Sequence, residues 1–251
     1  MGQQLQTYIT QTRTLIRDKL GLLTSTSDLT NWINEARGQV AQVTGCLEFL
    51  AYGMAPYGNS AEPSVMVPGG FTPGSPLTSN FQTIVGQEKY PYAMANAYVQ
   101  QTNAGIEAVY DVTSIAVSWG SMRPALNYMP WEDFQAYCRS YSFLVTSYPT
   151  MWSNDGDGAN ANVWMFPVPC QGLEMEWQVL CSPAPLYSNS DYDAIPAPFT
   201  RAVKYYAAYL CYLSTNRFQQ ANAQLALFNR CVTVGRGATD HGRVVDWYSG
   251  P

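Results

Sequence analysis

The chain has 251 residues, 47% of them hydrophobic and only 12% charged, with a formal net charge of −5. That length and apolar share suffice for one substantial core or two smaller ones and exclude disorder throughout; the acidic balance argues against a protein that grips nucleic acid through neutralised phosphates. Charge at about half the usual share leaves Gln, Asn, Ser, Thr and Tyr to cover the surface, a composition that suits contact with other protein.

The opening residues, MGQQLQTYITQTRTLIRDKL, lack the basic start, apolar middle and small-residue cleavage site of a secretory signal, so the chain is expected to work where it is made. Within them Leu5, Ile9, Ile16 and Leu20 recur at helical spacing, and Gly21 follows as a natural stop. After TSTSD, the residues Leu29, Trp32, Ile33, Ala36, Val40, Val43, Leu47 and Leu50 keep one helical period, with Ser27 or Asp28 at the N-cap. Residues 1–52 therefore read as N-terminal helices.

From Gly53 to about Asn80 the sequence turns to Gly, Pro, Ser and Asn, too long for an ordinary connection, and residues 53–108 read as an extended arm or insertion. The uncharged stretch from Pro63 to Gln87 is broken by Pro68, Gly69, Gly70, Pro73, Gly74 and Pro76, which excludes a lipid-exposed helix. A β-like region with one short helix follows over 109–190. Ile115, Val117 and Trp119 alternate as in a strand, and WEDFQAYCRSYSF starts a helix after Pro130, with Glu132 and Asp133 suiting its positive end, expected to run to about Ser142.

The stretch NVWMFPVPCQGLEMEWQVLCSPAPL then predicts a β-hairpin about CQG, bounded by Pro167, Pro169, Pro183 and Pro185. Leu173, Met175, Trp177, Val179 and Cys181 take its buried face, and Glu174, Glu176 and Gln178 its wet face.

Residues 191–234 predict a helical hairpin. Val203, Tyr206, Ala207, Leu210 and Leu213 share one face; after STN, Phe218, Ala221, Leu225, Phe228 and Val232 share another. Lys204 and Arg217 bracket an uncharged run well short of the roughly 20 apolar residues a bilayer requires. Tyr206 is expected in the core, while Tyr205, Tyr209 and Tyr212 lie nearer the polar side, where amphipathic rings serve interfaces. The tail 235–251, rich in glycine and ending in VVDWY, is expected to be flexible when free.

Chemistry finds little footing. The one histidine, His241, sits in that tail, which gives a Ser-His-Asp or Cys-His site no rigid base. Glu174 and Glu176 would be the carboxylates of a hydrolase, but a solvated hairpin face explains them better. NDGDGAN resembles a calcium loop only through Asp155 and Asp157, has Phe166 where the closing Glu belongs, and reads as a turn. The GRG at Gly235 neither follows a strand nor opens a helix, so it makes no phosphate cradle. The six cysteines, Cys46, Cys138, Cys170, Cys181, Cys211 and Cys231, form no metal or redox spacing and read as reduced, half-buried thiols. No cofactor and no metal are expected.

The order of segments carries more. A strand ending in FPVP, a second ending in PAPL, a linker with an Asp and IP, a Tyr/Ala-rich helix and an R-F-x-x-A helix together resemble the head-to-tail adaptor proteins of tailed bacteriophages. The resemblance covers Trp131 to Val232 well and the first fifty residues in general character; the arm from Gly53 to Gln101 departs from the shorter adaptors.

It implies an α+β fold: a helical bundle of N-terminal helices and C-terminal hairpin, with an inserted β-hairpin or small antiparallel sheet and a long arm. It implies a non-enzymatic virion protein, assembled in the host cytoplasm, forming a ring commonly of twelve copies beneath the portal. Expected partners are the portal, tail or nozzle proteins and further copies of the chain, with DNA only as passing genome and no membrane. Tyr205, Tyr209, Tyr212, Arg236, Val244, Val245, Trp247 and Tyr248 are the expected portal or subunit contacts, and Trp164, Phe166, Glu174 and Glu176 the hairpin contacts. Another tail or fibre component, or a glycan-binding module built on Trp164 and Trp177, is the alternative.

Overall fold

The computed structural model describes residues 3–18, 21, 23–52, 81–103, 105–119, 122–141, 146–156 and 158–240. Its helices are α1 (Leu5–Ile16), α2 (Thr26–Thr44), α3 (Ala93–Thr102), α4 (Trp131–Arg139), α5 (Ala197–Ser214) and α6 (Phe218–Asp240). The strands are β1 (Glu48–Tyr52), β2 (Lys89–Pro91), β3 (Ile106–Val117), β4 (Asn127–Tyr128), β5 (Thr146–Ser147), β6 (Met151–Asp155), β7 (Asn162–Phe166), β8 (Val168–Pro169) and β9 (Met175–Pro183). The chain divides into two units, a helical one from 1–47 and 182–251, and a β-rich one from 48–181.

In the helical unit, α1, α2, α5 and α6 close around one core that includes Tyr8, Ile33, Val40, Phe199, Val203 and Phe228. Alanines at 202, 207 and 208 put almost nothing between α5 and its neighbours, so the helices approach closely. Ser25, not Ser27 or Asp28, caps α2: its hydroxyl accepts from the Asp28 amide at 3.0 Å and donates to the Asp28 carboxylate at 2.6 Å. The helix also stops sooner than its apolar period, at Gly45, whose left-handed backbone (φ 63°) lets its N–H reach the Ala41 carbonyl at 2.8 Å. Leu50 accordingly belongs to β1 and is exposed. Likewise α1 stops at Ile16, capped by left-handed Arg17, short of Gly21.

The expected C-terminal pair of helices is present, joined through Thr215, left-handed Asn216 and Arg217, whose N–H bonds the Tyr212 carbonyl at 2.8 Å. α6 continues to Asp240, past Val234, where the hairpin is expected from the sequence to end.

The β-rich unit contains a three-stranded sheet ordered β1-β9-β3, a four-stranded sheet ordered β2-β7-β6-β4, and the pair β5-β8. The alternation expected in β9 holds: Met175, Trp177, Val179 and Cys181 are buried and Glu176 and Gln178 face outward. The expected hairpin about CQG is corrected, because its two strands lie in different sheets. β7 pairs instead with β6, Met151 opposite Phe166 through Asp155 opposite Asn162. The main-chain groups about CQG are taken by Phe81 and Thr83: Met175 N–H donates to Phe81 O at 2.8 Å, Leu173 N–H to Thr83 Oγ1 at 2.8 Å, and Thr83 Oγ1 to Gln171 O at 3.0 Å.

The arm reading is also narrowed. From Phe81 onward the segment packs, through β2, α3 and buried Phe81, Tyr90, Tyr92 and Val99; residues 53–80 lie outside the described residues. α4 begins after Pro130 with Glu132 and Asp133 in its first turn, as the sequence indicates, and ends at Arg139 rather than Ser142.

Candidate interface surfaces

A polar clamp fixes the linker between the β-rich unit and α5. Arg37 sits on the inward face of α2 beside Ile33, Ala36 and Val40, so its charge must find a partner within the core. It does: Nε and Nη2 donate to Asp193 Oδ1 at 2.9 and 2.8 Å, and Nη1 donates to the Ala184 carbonyl at 2.8 Å. Tyr8 of α1 donates its hydroxyl to the other oxygen, Asp193 Oδ2, at 2.6 Å. Burial and the adjacent carboxylate push the Tyr8 phenol well above its ordinary range, so it remains a donor. Asn34 adds a paired contact with Leu186, donating to its carbonyl at 3.0 Å and accepting from its amide at 2.9 Å. Three side chains of the first two helices thus set the course of residues 184–195 into α5. The sequence held a signal for this: a lone arginine on the apolar phase of α2, and an Asp just ahead of the IP linker.

Beyond the clamp, the same linker presents Tyr187 and Tyr192, 82% and 60% exposed. Neither ring stands out in the sequence as an interface residue, since both lie outside any periodic segment. The α5 tyrosines are placed less outwardly than their helical phase suggests. Tyr206 packs on Phe228 with ring centroids 5.0 Å apart, as expected of a core residue. Tyr205 is half-buried under the Lys204 ammonium, 5.4 Å from its centroid, and Tyr209 is half-buried beside Tyr206. Tyr212 is buried and donates its hydroxyl to the Leu15 carbonyl at 3.3 Å, so this ring serves its own subunit.

Two residues of the expected tail are engaged within the helical unit. Arg236 donates to the Val43 carbonyl. Gly235 lies against the Phe199 ring so closely that a Cβ there would sit 2.7 Å from it. Val244, Val245, Trp247 and Tyr248, with His241, lie outside the described residues.

In the β-rich unit, Trp164 is half-buried and held by a hydrogen bond from Nε1 to Asp155 Oδ2 at 2.8 Å. Lys89 lies 5.2 Å over its ring and Trp131 meets it at 5.4 Å. Trp131, Phe134, Trp164, Glu88 and Arg139 line a cleft of about 220 Å³. Cys138 opens on the same cleft, and burial raises its thiol pKa first, with the Glu88 charge adding to it. Phe166 is buried against Tyr137 and Tyr141, and Trp177 is fully buried, which removes it as a platform for sugars. Glu174 and Glu176 border a small depression with Arg123, whose guanidinium pairs with Glu176 at 3.1 Å. That pairing makes Glu176 a surface ion-pair partner.

Asp155 of NDGDGAN spends its oxygens on the turn, accepting from the Asn162 amide and side chain at 3.0 and 2.7 Å as well as from Trp164. No cluster of potential metal ligands occurs among the described residues. No described helix is long and apolar enough to cross a membrane. The cysteines are free thiols; Cys181 and Cys211 are buried, and Cys170 is exposed rather than half-buried.

The family described as SU10 adaptor protein matches residues 3–246, nearly the whole chain and both of its units. No curated protein matches the chain.

Proposed function

The chain belongs to the SU10 adaptor protein family, and on that premise we propose that it is a structural protein of the phage neck, a ring that joins the portal of the head to the tail and continues the DNA channel. The observation that carries this reading is the match over residues 3–246, which takes in the helical unit and the β-rich unit together. The clamp supports it, because a rigid helical unit gives repeated copies the same shape to present to one another. Exposed Tyr187 and Tyr192 and half-buried Tyr205 and Tyr209 suit contacts that exclude water without a large charged surface.

The ring would comprise twelve copies. Val244, Val245, Trp247 and Tyr248 would reach the portal, and Trp164, Glu174 and Glu176 would face neighbouring copies or tail proteins. A net charge of −5 per copy suits a channel that lets DNA pass without holding it.

A phage carrying an early stop codon in this reading frame tests the assignment. The expected particles are DNA-filled heads that keep their portal and lack tails, and added purified protein restores tail attachment. Complete infectious particles without the protein would overturn it.

A further inference from the structure

The side of α6 turned away from the core carries a second stripe. Ala223, Leu227, Arg230, Val234 and Gly237 are all exposed and recur at alternating four- and three-residue steps, the spacing of a helix seam. Leu227 and Val234 are 39% and 65% exposed, large apolar groups that the described residues leave uncovered. The only charges described within α6 up to Gly237 are positive, Arg230 and Arg236.

The outer side of α2 has the complementary character at the same spacing. Asp28, Asn31, Glu35, Gly38 and Gln42 recur at three- and four-residue steps, and its outward charges are both negative because Arg37 is turned inward. Among the described residues nothing calls for glycine at 38: it lies mid-helix, where glycine is the poorest residue after proline, and a Cβ added there would meet none of them within 4 Å. A glycine that faces open space on a helix leaves a hollow for something from outside.

We propose that the outer face of α6 of one copy packs on the outer face of α2 of the next copy, as the repeating contact between neighbours. With Arg230 opposite Glu35, the hollow at Gly38 receives Val234 if the helices cross parallel and Leu227 if they cross antiparallel. The two faces differ, so the contact is head-to-tail and repeats until it closes on itself. This inference rests on the ring reading above and names the surface through which copies meet.

Charge reversal tests it, with rings counted by particle mass for the full-length chain mixed with its portal. Arg230→Glu and Glu35→Arg each lower the ring yield about tenfold or more, and the double variant recovers most of it. Gly38→Leu keeps or raises the thermal midpoint of the free chain, since leucine is the better helix former, and abolishes rings. Wild-type levels of rings from either charge variant would overturn the proposal, as would a double variant that stays unassembled. Absence of rings from the wild-type chain would mean that the ring reading itself fails, and this contact with it.

Discussion

Arg37 and Asp193, 156 residues apart in sequence, meet at 2.8 Å with side-chain exposures of 1% and 0%. An ion pair so fully removed from water gains its standing from the hydrogen bonds around it, which Tyr8, the Ala184 carbonyl, Asn34 Oδ1 and the Ile195 amide supply. Asp193→Ala would leave the guanidinium buried without its anion and is expected to cost about 3–5 kcal/mol. Replacing both partners by apolar residues, Arg37→Met with Asp193→Leu, should cost clearly less than the sum of the single changes. Urea unfolding of the four proteins in a double-mutant cycle measures this. Tyr8→Phe, which removes one donor to the carboxylate, is expected to cost about 1.5–3 kcal/mol in the same assay.

Gly235 holds α6 against Phe199. A Cβ at 2.7 Å from the ring cannot be absorbed by a buried phenylalanine without displacing α5 or α6. Gly235→Ala is therefore expected to destabilise by about 1–3 kcal/mol despite the better helix propensity of alanine. The neighbouring Gly237→Ala, with open space around it, should be neutral or stabilising in the free chain. Thermal melts of both variants separate packing from propensity.

Alkaline stability should fall early. Burial raises the Cys181 thiol from 9.0 to about 12 and the Tyr90 phenol from 10.0 to about 12. Both groups keep their protons in the folded chain where the unfolded chain gives them up. The folded state thus binds more protons, and stability declines as pH rises, from about pH 9 through Cys181 and from about pH 10 through Tyr90. Each group contributes a slope of up to about 1.4 kcal/mol per pH unit. Cys181→Ala should flatten the decline between pH 9 and pH 10, read by urea midpoints at each pH; an unchanged slope would contradict the assignment to Cys181.

The helix boundary changes where a truncation must fall. A chain ending at Asp240 retains Gly235 against Phe199 and the Arg236 bond to Val43, so its melting temperature should match that of the full chain. One ending at Val234 loses both and should melt several degrees lower. Of the two, only the chain ending at Asp240 isolates the contribution of residues 241–251 to portal binding, which a pull-down on immobilised portal would read.

The helical unit was largely legible because its signals are local: the apolar phase of α2 and the paired apolar faces of α5 and α6; the caps of α2 were not, since Ser25 lies among several possible caps and the apolar period runs on past Gly45. The buried and wet faces of β9 were legible for the same reason, as residues two apart share a side. Which strand β9 pairs with was not, because the choice between β7 and the pair β1 and β3 is made by residues more than fifty positions away. α3 escaped notice since only Ala95 and Val99 mark its inner face, too few to establish a period. The clamp was half visible: Arg37 on an apolar face demands an anion, but nothing local selects Asp193 over Asp191, which instead takes the Tyr187 and Ser188 amides at 2.9 and 2.7 Å. Helical phase likewise assigned Tyr212 outward, and the return of α1 over it, through Leu15, buries it.

In the proposed function, copies of this chain close into a ring on the portal. The most direct measurement is the particle mass of the purified chain, alone and mixed with its cognate portal. A single mass that equals the portal plus a fixed whole number of chains, twelve for the proposed ring, is the predicted result. A mass for the mixture that is only the sum of unbound portal and free chain would contradict it.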